Sequence, residues 1–372
     1  MTTALNGLKV LDFSTLLPGP FATLYLADLG ADVIHIESPT RPDLIRLMPP
    51  YAHGQSTAHS YLNRNKQSIA LDLKDAQSIR LIKDKITEYD IVVEQFRPGV
   101  MQRLGLDYAT LAALNPRLIY CSITGYGQTG SYKDKAGHDI NYLALSGIAG
   151  HSGRQEGGPP ALGIQVADVA GGSFHAVIGI LAAVVERERS GLGQYIDISM
   201  TDCAVTLNNM AAAATLAGNA KQFPEQSYLN GGSFYDYYQT GDGRYLSIGS
   251  VEPQFMSGLA HILDIPVLHE KGASFDRADQ YVVKQAIQEK IKSKTLQEWQ
   301  VIFAGQDVCL EPVLTLDEAL DSPLAQQRQW RIEVPLEPDS QQTETQLACP
   351  IKFSRSQTRY LYIGQRLGAG NW

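Results

Sequence analysis

Cysteine is scarce and never paired. Cys121, Cys203, Cys309 and Cys349 lie far apart in 372 residues, with no CxxC among them. That excludes a zinc knuckle or a disulfide framework as an organising feature. Scattered thiols fit a reducing compartment, so a cytoplasmic protein is expected. A basic run is missing too. Lys and Arg number 31 against 39 Asp and Glu, a net charge of −8, so nucleic acid is not an expected partner, and an anionic ligand would need a local cluster of cations. The segment Met1–Val10 has no positive region leading into an apolar core, and no signal peptide is read there. The longest apolar stretch, Val169–Val185, approaches the length of a membrane span. However, Gly171, Gly172, Ser173 and His175 interrupt it and Glu186–Arg189 follows, so a buried helix is expected and no membrane contact. The P-loop and nucleophile-elbow signatures are absent as well.

What is present is an ordinary globular composition, 44% apolar and 19% charged, with enough chain for two domains. Short apolar runs alternate with helical patterns through the first 125 residues. Strands are expected at Leu8–Phe13, Asp32–Ile36, Ser68–Leu73, Ile91–Glu94 and Leu118–Ile123, and again at Gln194–Ile198. Helices are expected at Pro18–Leu29, Asp75–Glu88 and Asp107–Leu114, and the longest runs from Asp168 to Arg187. Such alternation implies an α/β fold with a mainly parallel sheet covered on both faces. Residues 1–199 are read as the large α/β domain, completed by about 331–372. The Ala-rich stretch 200–225 reads as a helical connector. Residues 226–330 read as a smaller α+β domain, with a hairpin at Phe234–Gln239 and Tyr245–Ile248 around Gly241-Asp242-Gly243.

Few motifs carry chemistry. Gly125-Tyr126-Gly127-Gln128-Thr129-Gly130 matches G-x-G-x-x-G but opens no helix and does not follow the first strand, so a Gly-rich loop is the better reading than a dinucleotide site. Asp168 stands at the start of the apolar helix, either as its N-cap or as a tuned carboxylate acting as base or nucleophile. His138 follows Gly137 in a polar loop, and Glu252 precedes Pro253. Neither forms a metal-ligand pattern.

Several blocks together resemble the class III CoA-transferase (CaiB/BaiF) superfamily, which includes formyl-CoA transferase, carnitine CoA-transferases and α-methylacyl-CoA racemase. They are Leu8–Asp12 with Pro18-Gly19-Pro20, Leu29–Val33, and Phe96-Arg97-Pro98-Gly99-Val100-Met101 leading to Arg103-Leu104-Gly105. Other blocks are closer to the racemase branch: Gly137–Tyr142, Ala167-Asp168 with Gly171-Gly172-Ser173, Asn230-Gly231-Gly232 with Phe234-Tyr235-Asp236, and Val251–Phe255. The resemblance implies a large Rossmann-like domain plus a smaller α+β domain, assembled as an interlocked homodimer. It implies racemisation at C2 of a 2-methylacyl-CoA through an enolate, with no cofactor because the CoA thioester is the substrate.

Removing and returning a weakly acidic α-proton requires two titratable groups on opposite sides of one carbon. By resemblance these are His138 and Asp168, with Glu252 of a second subunit orienting the imidazole. Backbone N–H groups at a helix N-terminus would meet the enolate oxygen. By the same resemblance CoA lies along Leu71, Asp72, Leu73, Lys74, Gln95, Phe96, Arg97 and Arg103, with the loop Gly137, Asp139, Ile140, Asn141 and Tyr142. Racemases usually carry Arg where this chain has Ser38, and Arg41 is expected to replace it. The alternative is a CoA-transferase in which Asp168 attacks the acyl-CoA and carries CoA as an aspartyl thioester. The chain lacks the glycine run that transferases often carry in the second domain, having Gly249-Ser250-Val251-Glu252-Pro253 there.

Overall fold

The structure, a computed structural model, describes residues 2–218 and 221–372. The chain divides into two compact units. The larger comprises the chain up to Ser146, Leu162–Leu207 and Pro323–Trp372; the smaller comprises Gly147–Ala161 and Asn208–Ser322. The expected connector, 200–225, includes residues 219 and 220, which lie outside the described residues. Its first part forms two short helices, Met200–Leu207 and Asn209–Leu216, broken where Asn209 takes φ +25°.

The larger unit is built on six strands: β1 (Lys9–Asp12), β2 (Asp32–Glu37), β3 (Lys66–Ala70), β4 (Ile91–Glu94), β5 (Ile119–Thr124) and β6 (Tyr195–Ser199). Their order is β3-β2-β1-β4-β5-β6, with every neighbour pair parallel. This is the doubly wound arrangement that the strand–helix alternation implies. Every residue of β4 and β5 is buried, as expected for central strands covered on both faces. The expected third strand was placed too late in the sequence: β3 pairs from Lys66 to Ala70, and Leu71–Leu73 have already left the sheet.

Helix α1 (Pro18–Asp28) starts with Pro, which sacrifices only an amide that is unpaired in a first turn. Helix α2 (Asp139–Leu145) was not anticipated. The long apolar helix begins as a π-helical turn, Ala167–Phe174, and continues as α3 (His175–Ser190), ended by Gly191 at φ +76°. A Cβ on Gly171 would lie 3.1 Å from the Met200 carbonyl, and one on Gly172 would lie 3.1 Å from both Met200 and Pro18. The two glycines therefore let this turn sit against α4 (Met200–Leu207) and the head of α1. The helix lies on the sheet through Ala176, Ile180 and Ala183, while Ile178 and Val185 on its other face stay exposed. The helix expected to be buried is thus covered on one face only.

The smaller unit holds a three-stranded antiparallel sheet of β7 (Asp236–Gln239), β8 (Tyr245–Ile248) and β9 (Leu310–Pro312), in the order β9-β8-β7. Helices α5 (Pro253–Leu263), α6 (Arg277–Lys292) and α7 (Leu296–Phe303) cover it. The core gathers Phe234, Leu246, Leu259, Ile287 and Trp299. The hairpin is the one expected; β9 has three residues and ends in proline, which hid it from any periodic pattern. Residues of the last segment pair as a hairpin, β10 (Arg331–Pro335) with β11 (Thr343–Leu347).

Candidate active site

The sheet order reverses direction between β1 and β4, so the chain after β1 turns one way and the chain after β4 the other. Ligands of open α/β sheets collect in the crevice at the carboxyl ends of such strands. A cleft of about 510 Å³ lies there. Leu16–Pro18 come from the turn after β1, Gln95–Pro98 follow β4, and Gly125 and Tyr126 follow β5. The remaining wall is Lys133, Lys135, Gly137, His138, Asn141, Tyr142, Asp168 and Met200. Two hollows of about 710 Å³ are larger, one in each unit. Neither stands at this edge of the parallel sheet.

The turn after β1 is anchored from below. Asp12 is fully buried and accepts the Ser14 amide at 2.9 Å and the Thr23 hydroxyl at 2.5 Å. Lys66 Nζ and His35 Nδ1 each stand 3.4 Å from its Oδ2. Burial pushes the Asp12 carboxyl up, but Lys66 and His35 outweigh it and hold the carboxyl below its usual range. Gly19 then comes so close to Ser14 and Gln95 that a Cβ would overlap both, and its N–H donates to Gln95 Oε1 at 2.9 Å. The pairing of Gly19 with Gln95 ties the β1 turn to the β4 turn across the reversal point.

Asp168 occupies the first turn of the π-helical segment. It is not the helix cap. That role falls to Asp139, whose Oδ1 accepts the amides of Ala167 at 2.6 Å and Asp168 at 3.1 Å. The Asp168 side chain is thereby left facing the cleft. Burial, with a smaller contribution from the Asp139 carboxylate, pushes its carboxyl up to about 7. A carboxyl that titrates near neutrality both takes and gives a proton at working pH. π-Turns are uncommon and recur at functional sites.

His138 immediately precedes α2, on the rim of the same cleft. Its amide donates to Asn141 Oδ1 at 3.0 Å, and the Tyr142 hydroxyl donates to the Gly137 carbonyl at 2.6 Å. A Cβ on Gly125 or Gly137 would overlap the Tyr142 ring. These contacts fix the Gly137–Tyr142 loop in place. Imidazole and carboxylate thus line one cleft although 29 positions separate them, an arrangement that fits proton transfer on either side of a bound carbon.

Of the residues expected to hold CoA, Gln95, Phe96, Arg97, Gly137, Asn141 and Tyr142 line this cleft. Others do not. Leu71 and Leu73 pack on the apolar core of the larger unit, and Asp72 accepts the Lys74 amide at 3.0 Å. The exposed Arg41 and Lys74 lie in the turns that leave the carboxyl ends of β2 and β3, the same edge of the sheet as the cleft, and Arg103 is exposed on the short helix Val100–Leu104 that follows β4. Ser38 Oγ accepts the Arg41 amide at 3.1 Å, closing the turn after β2. Ile140 is exposed, and Asp139 is engaged with backbone. Glu252 belongs to the smaller unit, exposed at the head of α5. Sequence reasoning missed Leu16–Pro18, Lys133, Lys135 and Met200. The turn after the first strand was a usable signal; the two lysines sit in a loop without periodicity. The Gly125–Gly130 segment is an irregular loop, with Gly127 and Gly130 at φ near +80°, and no helix follows it.

A sequence profile described as CoA-transferase family III matches residues 5–368. The chain is 39% identical to mouse alpha-methylacyl-CoA racemase over 318 residues, which cover 85% of this chain and 79% of that one. It is 32% identical to human succinyl-CoA:glutarate CoA-transferase over 325 residues, 86% of this chain and 74% of that one. Its backbone is similar to the crystal structure of a CAIB/BAIF family protein from Brucella suis, with a TM-score of 0.83 and 29% identity, covering 99% of this chain and 97% of that one.

Proposed function

The chain belongs to CoA-transferase family III, and we propose that it epimerises C2 of 2-methylacyl-CoA thioesters. The observation that carries the proposal is the imidazole of His138 and the carboxylate of Asp168 lining one cleft. In one direction Asp168 takes the α-proton, the electron pair passes to the thioester oxygen as an enolate, and His138 returns a proton to the opposite face. In the other direction the roles exchange. A group that titrates at about 7 suits both roles, whereas a dedicated nucleophile gains nothing from protonation. The cations Arg97, Lys133 and Lys135 on the cleft, with Arg41 and Lys74 on the same sheet edge and Arg103 on the short helix after β4, supply charge for the CoA phosphates in an otherwise acidic chain. The proposed chemistry calls for no cofactor, and the scattered thiols support a cytoplasmic location.

The working unit we propose is an interlocked homodimer in which Glu252 of one copy orients His138 of the other. Two features support it. Glu252 is exposed, and the helix Asn209–Leu216 buries none of its residues while leaving Met210 and Leu216 uncovered.

The relatives named as CoA-transferases support a second reading. There the Asp168 carboxylate attacks the thioester carbonyl, CoA thiolate leaves, and the thiolate then attacks the aspartyl carbonyl of the mixed anhydride to release the acyl carboxylate. The two readings separate on one experiment: incubation of a 2-methylacyl-CoA in heavy water, with deuterium at C2 followed by mass spectrometry. Racemisation predicts uptake by the wild type from either enantiomer and at least about a hundredfold loss in His138→Ala from the enantiomer whose proton His138 removes. Uptake that survives this change for both enantiomers removes the two-base proposal. CoA exchange with a free acid, and an adduct trapped on Asp168, would favour the transferase.

A further inference from the structure

We infer that Asp139, one residue from His138, is a positioning residue. It joins the loop bearing His138 to the turn bearing Asp168 and holds a negative charge against the Asp168 carboxyl. The geometry is specific. One oxygen, Oδ1, accepts two consecutive amides, Ala167 at 2.6 Å and Asp168 at 3.1 Å. Those are amides at the start of a helical segment, which have no partner within the helix. An N-cap usually satisfies its own helix from the preceding residue. Here the segment's own N-cap position, Val166, offers no side-chain oxygen, and the acceptor comes from 28 positions upstream. Asp139 itself begins α2, whose preceding loop is fixed by Asn141 and Tyr142. One side chain therefore sets the spacing between both proton carriers.

The electrostatic consequence follows from the same contact. Among the charged groups around Asp168, Asp139 adds to burial in pushing its carboxyl up to about 7. The other ionisable groups on the elements packed against this turn are Tyr142 on α2, Tyr25 and Asp28 on α1, Tyr195 and Asp197 on β6, Asp202 and Cys203 on α4, and His175 at the head of α3, with Glu186–Arg189 at its far end. Across the cleft stand His138, Tyr126, Lys133, Lys135 and Arg97. Of all these charged groups, Asp139 is the one that acts on the Asp168 carboxyl. The inference rests on the racemase reading for its kinetic consequence, while its structural part stands without it.

The test compares Asp139→Asn with Asp139→Ala. Asparagine keeps an oxygen for both amides and loses the charge; alanine loses both. Protonation of Asp168 is followed by its pH-dependent modification with a water-soluble carbodiimide, read on the Asp168 peptide by mass spectrometry. The wild-type midpoint is expected at about 7, and the midpoint in Asp139→Asn about one pH unit lower. The pH profile of C2 deuterium uptake should move by the same amount. Amide hydrogen exchange at Ala167 and Asp168 should remain slow in Asp139→Asn and become at least about tenfold faster in Asp139→Ala. An unmoved midpoint in Asp139→Asn overturns the electrostatic part. Unchanged amide protection in Asp139→Ala overturns the positioning part. If Asp139→Ala does not fold, the Asn variant still decides through its midpoint and its profile. A shifted midpoint in a protein that takes up no deuterium even as wild type would support the Asp139 assignment and refute the racemase reading.

Discussion

The two units stabilise their interiors by different means. The smaller one is an apolar core around Phe234, Leu246, Ile287 and Trp299, with few buried polar side chains among its described residues; Trp299 meets its one polar need by donating its indole N–H to the Ile291 carbonyl at 2.7 Å. The larger one buries ionisable groups beside and beneath its cleft. Asp12 and Glu37, which end β1 and β2, cluster with His35 from within β2 and Lys66 from the start of β3; Glu94 is buried at the end of β4, and Arg64 pairs with Asp28. Burial pushes Glu94 up to about 7, while Arg46 and His35 overcome burial and hold Glu37 down to about 2. Buried charge is costly unless paired, and replacing such pairs with apolar residues is often neutral or stabilising. What the larger unit gains is defined geometry: Asp12 anchors the turn that feeds Gly19 to Gln95, and Glu94 accepts the Phe96 amide at 2.8 Å at the start of the loop that lines the cleft. The unit that carries the candidate chemistry is the one that keeps charge inside.

The largest effect expected on stability is from Arg64→Ala. Arg64 makes two bonds to Asp28, at 2.9 and 2.5 Å, with both side chains almost fully buried. Its loss leaves a bare carboxylate and should cost about 4 kcal/mol at pH 7 in urea denaturation. The cost should shrink as the pH falls, because Asp28, already pushed up by burial, then folds protonated. Ile287→Ala in the smaller core should cost about 3 kcal/mol through its cavity, equally at pH 4 and pH 8. If the Arg64→Ala penalty proves independent of pH, the contrast between the units fails. A smaller gain is expected from Asp168→Asn. A carboxyl raised to about 7 destabilises the fold only when ionised, so the penalty is absent below the ordinary value of 3.8 and complete above about 7. The variant should be more stable than wild type by about 2 kcal/mol at pH 8 and equal to it below pH 4, while losing deuterium uptake.

Legibility in the sequence follows locality. The strands β1, β2, β4 and β5 were readable because a buried parallel strand is a short continuous apolar run. The helix after Pro18 was readable from its start signal and from Gly30, which sits at φ +113°. Helix α2 was not, since its seven residues show no clear face and the preceding loop carries no turn signature of its own. The choice between cap and tuned carboxylate for Asp168 stayed open for a related reason. An aspartate at a helix start is an N-cap by local rules, and nothing local reveals that Asp139 has taken that place. Likewise Lys133 and Lys135 become cleft residues only because the irregular loop after β5 folds back over the strand ends.

The amino-acid order alone was enough for the class of fold and most of its strands, because hydrophobic period is a property of short segments; it pointed to His138 and Asp168 as a pair only through the resemblance of their blocks to a known family. Tertiary structure decided the rest. It brought an imidazole and a carboxylate into one cleft at the reversal point of the sheet, replaced a local cap by a distant one, and left the Asp168 carboxyl half-buried beside a second negative charge. Proton affinity depends on solvent exclusion and on charges a few ångströms away, and both are set by chain segments far apart in sequence.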